Sequence, residues 1–152
     1  MADFDNDEII SVLNDLIETC KDGEHGFHDA ADAAGDRRLE ELFRTYSEQR
    51  GRFASELQEE VRKLGGDPQE RGHVSAVLHR GWINVKSVVA DRDDGVIISE
   101  VERGEDAAAN NYQEALRNIL PSGLRSLIEK QFDSIQQAHQ KVRGLEITRK
   151  AG

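Results

Sequence analysis

Two Gly-Glu pairs, Gly23-Glu24 and Gly104-Glu105, sit in similar surroundings, "CKDGEHGFHDAADAA" and "VERGEDAAANNYQEAL". Carboxylates and imidazoles are the donors that hold iron or manganese, and two facing carboxylates can also exchange protons. His28 follows Glu24 by four residues, one helical turn, so both could touch one ion. His139 lies in "SIQQAHQKV". By residue type, Glu24, His28, Glu105 and His139 are candidate metal donors. No P-loop, dinucleotide fingerprint, catalytic triad or zinc cysteine pair is present, and no substrate pocket can be read from spacing. The balance is against an enzyme, with acid-base catalysis by the two glutamates left open.

These residues need helices to carry them. Apolar residues recur in steps of three and four at Ile9, Leu13, Leu16, Cys20, position 24, Phe27 and Ala31. Asp5 or Asn6 can cap the start of this helix, and Gly35 ends it. Asp36 can cap the next helix, whose stripe is Leu39, Leu42, Phe43, Tyr46, position 50, Phe53, Leu57, Val61 and Leu64. Gly65-Gly66 and Pro68 stop it. A third helix follows "DRDDG" and presents Ile97 or Ile98, Val101, position 105, Ala108, Tyr112, Leu116 and Ile119. Pro121 suits the first turn of a fourth, with Leu124, Ile128, Gln131, Ile135, Ala138 or His139, Val142 and Leu145 on one face.

Connection lengths imply a topology. Each of the first two helices is about 28 residues and so about 42 Å long, and almost nothing joins them. They must form an antiparallel hairpin. The last two helices form a second hairpin. Between the hairpins, the segment of about 67–93 carries a shorter amphipathic helix with Val74, Val77, Leu78, Trp82, Val85 and Val89. It is long enough to run the length of the bundle. The expected fold is therefore all-α, two antiparallel hairpins joined by a long crossover, in one domain over residues 1–152.

Composition agrees and restricts the partners. Charged residues make up 33% of the chain and aromatics only 5%, a profile that favours long helices over a sheet. The net charge of −10 comes without a basic stripe, so no nucleic acid is expected. No apolar run approaches the roughly 20 residues that span a bilayer. The acidic start "MADFDNDEII" has no signal-peptide core. The lone Cys20 excludes an internal disulfide and fits a reducing, cytoplasmic compartment. Its thiol is expected to be buried and inert. A second copy of the chain could dock on the crossover helix around Trp82.

A glutamate on a core stripe needs a partner, because an unpaired buried carboxylate loses several kcal/mol of solvation. A glycine beside it, at about 1 kcal/mol relative to alanine, implies close backbone approach or room for the carboxylate. Arg50 also falls on a core stripe, near the expected level of Glu24. Its guanidinium could fork between Glu24 and Glu105, with the Tyr46 and Tyr112 hydroxyls bonded to the carboxylates. This metal-free polar cluster is the first expectation. A partial metal site is the second, and solvent-facing glutamates the third.

"FASELQEEVRKLGGDP" at 53–68, "ERGEDAAANNYQEAL" at 102–116 and "SIQQAHQKV" at 134–142 resemble segments of the ferritin-like superfamily. The narrower resemblance is to its bacterial four-helix-bundle branch of unknown function, over nearly the whole chain. The Glu105 and Tyr112 spacing is similar to one in some ferritin-like iron proteins. Such bundles hold a diiron site with one glutamate from each of two helices and a Glu-x-x-His pair from each of the others. Glu24 and Glu105 match the single glutamates. Where the pairs belong, this chain has Arg50 with Phe53, and Gln136 with His139. The resemblance thus implies a degenerate diiron site and a structural, interaction or stress-associated role without a cofactor. The alternative it implies is an iron- or manganese-binding protein or a weak oxidase.

Overall fold

The computed structural model describes residues 5–68 and 93–151, with side chains as far as Leu145. Among the described residues there are four helices and no strands: α1 Asn6–Ala33, α2 Arg37–Lys63, α3 Asp94–Leu116 and α4 Ser122–Ala151. They form a four-helix bundle. No described helix is long and apolar enough to cross a membrane.

The expected start and stop signals of α1 and α2 act as such, whereas α3 starts at Asp94, inside "DRDDG" rather than after it. Asp5 accepts from the Glu8 amide, Asp36 from that of Arg38, and Asp93 from that of Gly95. Each side chain satisfies a donor that the first helical turn leaves open. Gly65 adopts a left-handed φ of 81° just past α2, where the Gly66 amide donates back to the Val61 carbonyl. Arg125 closes α3 by donating to the carbonyls of Leu116 and Asn118.

α1 packs against both α2 and α3, and α3 against α4, whereas α2 and α4 barely approach each other. The side chain of Asp94 accepts from the amides of Gly35 and Asp36, at 2.8 and 3.0 Å. This ties the start of α3 to the α1–α2 turn. At the other end of α1, Gly66 packs so closely on Ile10 that a Cβ would lie 2.8 Å from it. Pro68 and Asp93 therefore lie at opposite ends of the bundle. The short helix, Trp82 and most of the segment expected to connect the hairpins lie outside the described residues.

Two apolar clusters fill the interior. Ile9, Leu13, Leu16, Leu57, Ile128 and Ile135 belong to the one nearer the start of α1. Phe27, Phe43, Ile97, Ile98, Val101 and Val142 belong to the other. Polar side chains separate them.

Candidate functional site

The separating layer is built around Arg50, 1% exposed, and Glu105, 0% exposed. Arg50 donates from both terminal guanidinium nitrogens to the two carboxylate oxygens of Glu105, at 2.5 and 2.6 Å. Its Nε donates to the Gln49 amide oxygen, and its guanidinium carbon lies 5.2 Å from the centre of the Phe27 ring. Burial works against the guanidinium charge. Glu105 outweighs it by charge and hydrogen bonding, and holds the Arg50 pKa above its ordinary value. Neither ion has an exit to water, so each is the other's counterion.

Helix contacts explain the glycines. A Cβ on Gly23 would stand 3.3 Å from Cγ of Arg50 and 3.5 Å from its Nη1. The missing side chain on α1 is the slot through which the α2 arginine reaches the centre. Gly51 does the reverse, since a Cβ there would overlap Oε2 of Glu24. Gly23-Glu24 and Arg50-Gly51 interlock, each glycine admitting the other helix's charged side chain. Ser47 holds the crossing by donating to the Glu24 carbonyl at 2.8 Å.

Glu24 does not meet Glu105, contrary to expectation. Gly23 and Phe27 take the inward positions on α1, and Glu24 is only partly buried. One residue on from Gly23 is 100° round the helix. That turn swings the carboxylate over Gly51 and into the gap between α2 and α4. Arg50 accordingly forks onto Glu105 rather than between two glutamates.

A second polar chain lies on the side of the ion pair nearer the start of α1. Tyr112 is fully buried, with its hydroxyl 3.0 Å from the Cys20 sulfur and donating to Oε1 of Gln131 at 2.7 Å. Gln131 in turn donates to Glu56 and to the Phe53 carbonyl. Burial above all pushes the Cys20 thiol up to about 11, with the Tyr112 hydrogen bond pulling the other way. Burial also raises Tyr112 well above its usual range. The expected bonds from Tyr112 to a carboxylate are thus replaced by bonds to a thiol and an amide. Tyr46 is half-buried and packs its ring on Phe27, centres 5.4 Å apart. Burial first and the Glu105 charge second raise its pKa.

The four expected metal donors are not brought together. His28 is 60% exposed and faces Asp32 and Asp29 at 3.5 and 3.8 Å, because Phe27 takes the core position on that turn. His139 lies in the α3–α4 seam, its Nε2 3.2 Å from Asp106 and 4.0 Å from Glu102. Among the described residues, the trio of histidine, cysteine or acidic side chains close enough to share an ion is His28, Asp29 and Asp32. It is exposed, and Arg44 already donates to Asp32 at 3.0 Å.

The family model for Domain of unknown function (DUF2383) matches residues 8–118, well over half of the chain. The chain belongs to that family. No curated protein matches the sequence. In this DUF2383 chain the matched span covers α1 from Glu8 onward and all of α2 and α3. Arg50 and Glu105 therefore both lie within it, whereas Gln131 lies beyond.

Sequence reasoning missed Gln131 and Gly51. Gln131 stands on the apolar stripe of α4, and a buried amide on such a stripe signals a buried polar partner. The Arg-Gly order at 50–51 is the inverse of Gly-Glu at 23–24, a pattern interpretable only once the two helices are known to cross there.

Proposed function

We propose that this protein is a ferritin-like bundle, cytoplasmic and bacterial by resemblance, whose diiron centre has been replaced by an ion pair. Its role is non-catalytic, structural or interaction-based, with a stress association implied by the same resemblance. The single observation that carries this reading is the fork of Arg50 onto Glu105 between the two apolar clusters. The placement of Pro68 and Asp93 at opposite ends of the bundle supports a long crossover over residues 69–92, as in ferritin-like chains.

The residues do not fit a diiron group. Such a centre needs several carboxylates and two imidazoles converging on the ions. Among the described residues, Glu105 is the one buried carboxylate, and a permanent cation binds both its oxygens. Arginine does not release its proton in proteins, so a divalent ion at that position would meet a fixed positive charge. His28 faces Asp32 at the surface, and His139 faces Asp106 in the α3–α4 seam.

Elemental analysis of protein purified from iron- and manganese-supplemented cells tests the reading. A folded protein with far less than one equivalent of either metal supports it. Stoichiometric iron or manganese, retained through dialysis, overturns it in favour of a metal-binding protein.

A further inference from the structure

The gap between α2 and α4 is a cleft of about 910 Å³, within the range of small-molecule sites. Phe53 and Leu127 give it apolar wall. Glu48 and Glu56 line it from α2, and Gln131 from α4. Glu24 reaches it from α1, through the space left by Gly51. Among the described residues, Glu24, Glu48 and Glu56 form no ion pair; Glu56 accepts one hydrogen bond, from Gln131.

We propose that this cleft binds a linear organic amine, an alkyl diammonium or polyammonium ion, with Glu24 as its anchor. A half-buried carboxylate without a counterion leaves negative potential in a recess where water is partly excluded, and a cation answers it. Flexible methylene chains suit the apolar wall, and an ammonium group gains further from the face of Phe53. Gln131 is held by the buried Tyr112 on the core side and by Glu56 on the cleft side, so this wall of the cleft is preformed. Arg52 and Lys130 also line the cleft. They offset part of the negative charge of the exposed Glu48 and Glu56, so the attraction rests on Glu24, the one partly buried carboxylate among the lining residues. With no three donors close enough to share an ion at this place, the geometry selects an extended cation over a compact one. The inference is independent of whether the central ion pair descends from a metal site.

Titration of the full-length protein with putrescine and with spermidine, by calorimetry and by amide chemical shifts, tests it. Saturable one-to-one binding that weakens with salt is expected, with the largest shifts at Gly51, Phe53 and Gln131. Glu24→Gln should weaken it by about tenfold or more, the scale of one hydrogen bond to a charged group. Gly51→Ala should do the same with net charge unchanged, by displacing the Glu24 carboxylate. Glu59→Gln, on an exposed face of α2, removes the same charge and should change affinity less than about twofold. Equal weakening by Glu24→Gln and Glu59→Gln would mean diffuse attraction to an acidic protein and would overturn the proposal. So would shifts centred away from the cleft in the unaltered protein, a readout that holds even if a variant fails to fold.

Discussion

Gly23 lies directly against the stem of Arg50, 3.3 Å from Cγ to the place a Cβ would occupy. That contact couples two sequence oddities, a glycine inside a helix and an arginine inside a core. Arg50 cannot retreat, because Glu105 holds both of its terminal nitrogens.

Gly23→Ala should therefore destabilise the protein, although alanine in a helix interior is favoured by about 1 kcal/mol. Gly144→Ala, where an added Cβ meets nothing within 4 Å, should stabilise it by up to about that amount. Urea unfolding of the two variants should show midpoints moving in opposite directions.

Arg50→Ala removes one member of a buried pair and leaves the Glu105 carboxylate without a counterion. The expected loss is about 3–5 kcal/mol near neutral pH, seen as a sharply lower melting temperature. Arg50→Lys should recover only part of it, since an ammonium cannot fork onto two oxygens. Replacing both partners with apolar residues, Arg50→Met with Glu105→Leu, should restore most of the stability. Parent-like melting of Arg50→Ala would mean the pair does not hold the centre.

Alkaline pH should destabilise the protein through Cys20. The folded thiol is held near 11, against an ordinary value of about 9. Below pH 9 the thiol is protonated in both states and adds no pH dependence. Between pH 9 and 11 the unfolded chain gives up the proton and the folded chain keeps it. Stability then falls as pH rises, by up to about 1.4 kcal/mol per unit from this group. Tyr112, also raised by burial, adds to the fall above pH 10. Cys20→Ala should flatten the slope between pH 9 and 10 in denaturation curves taken at stepped pH.

Asp94→Ala removes the acceptor shared by the Gly35 and Asp36 amides. Two charge-assisted hydrogen bonds at an exposed turn correspond to about 1–3 kcal/mol. Hydrogen exchange at those two amides should accelerate selectively, and slow exchange at both would refute the anchoring of α3 to that turn.

The sequence by itself determined the helices. Asp5, Asp36 and Gly65 act where their side-chain or backbone preferences place them, because capping is local chemistry that needs only a few neighbouring residues. It also marked Arg50 and Glu105 as unusual, since a charge on an apolar stripe is visible without coordinates. Only the tertiary structure decided which charge meets which. Glu24 and Glu105 occupy equivalent positions in two similar segments, yet one lies in a cleft and the other at the centre. That difference is set by the rotation of α1 about its own axis, a property of packing against α2 and α3 rather than of residue spacing. A turn of one residue, 100°, moves a carboxylate from core to cleft. Periodicity in one helix identifies its apolar side only to about that width.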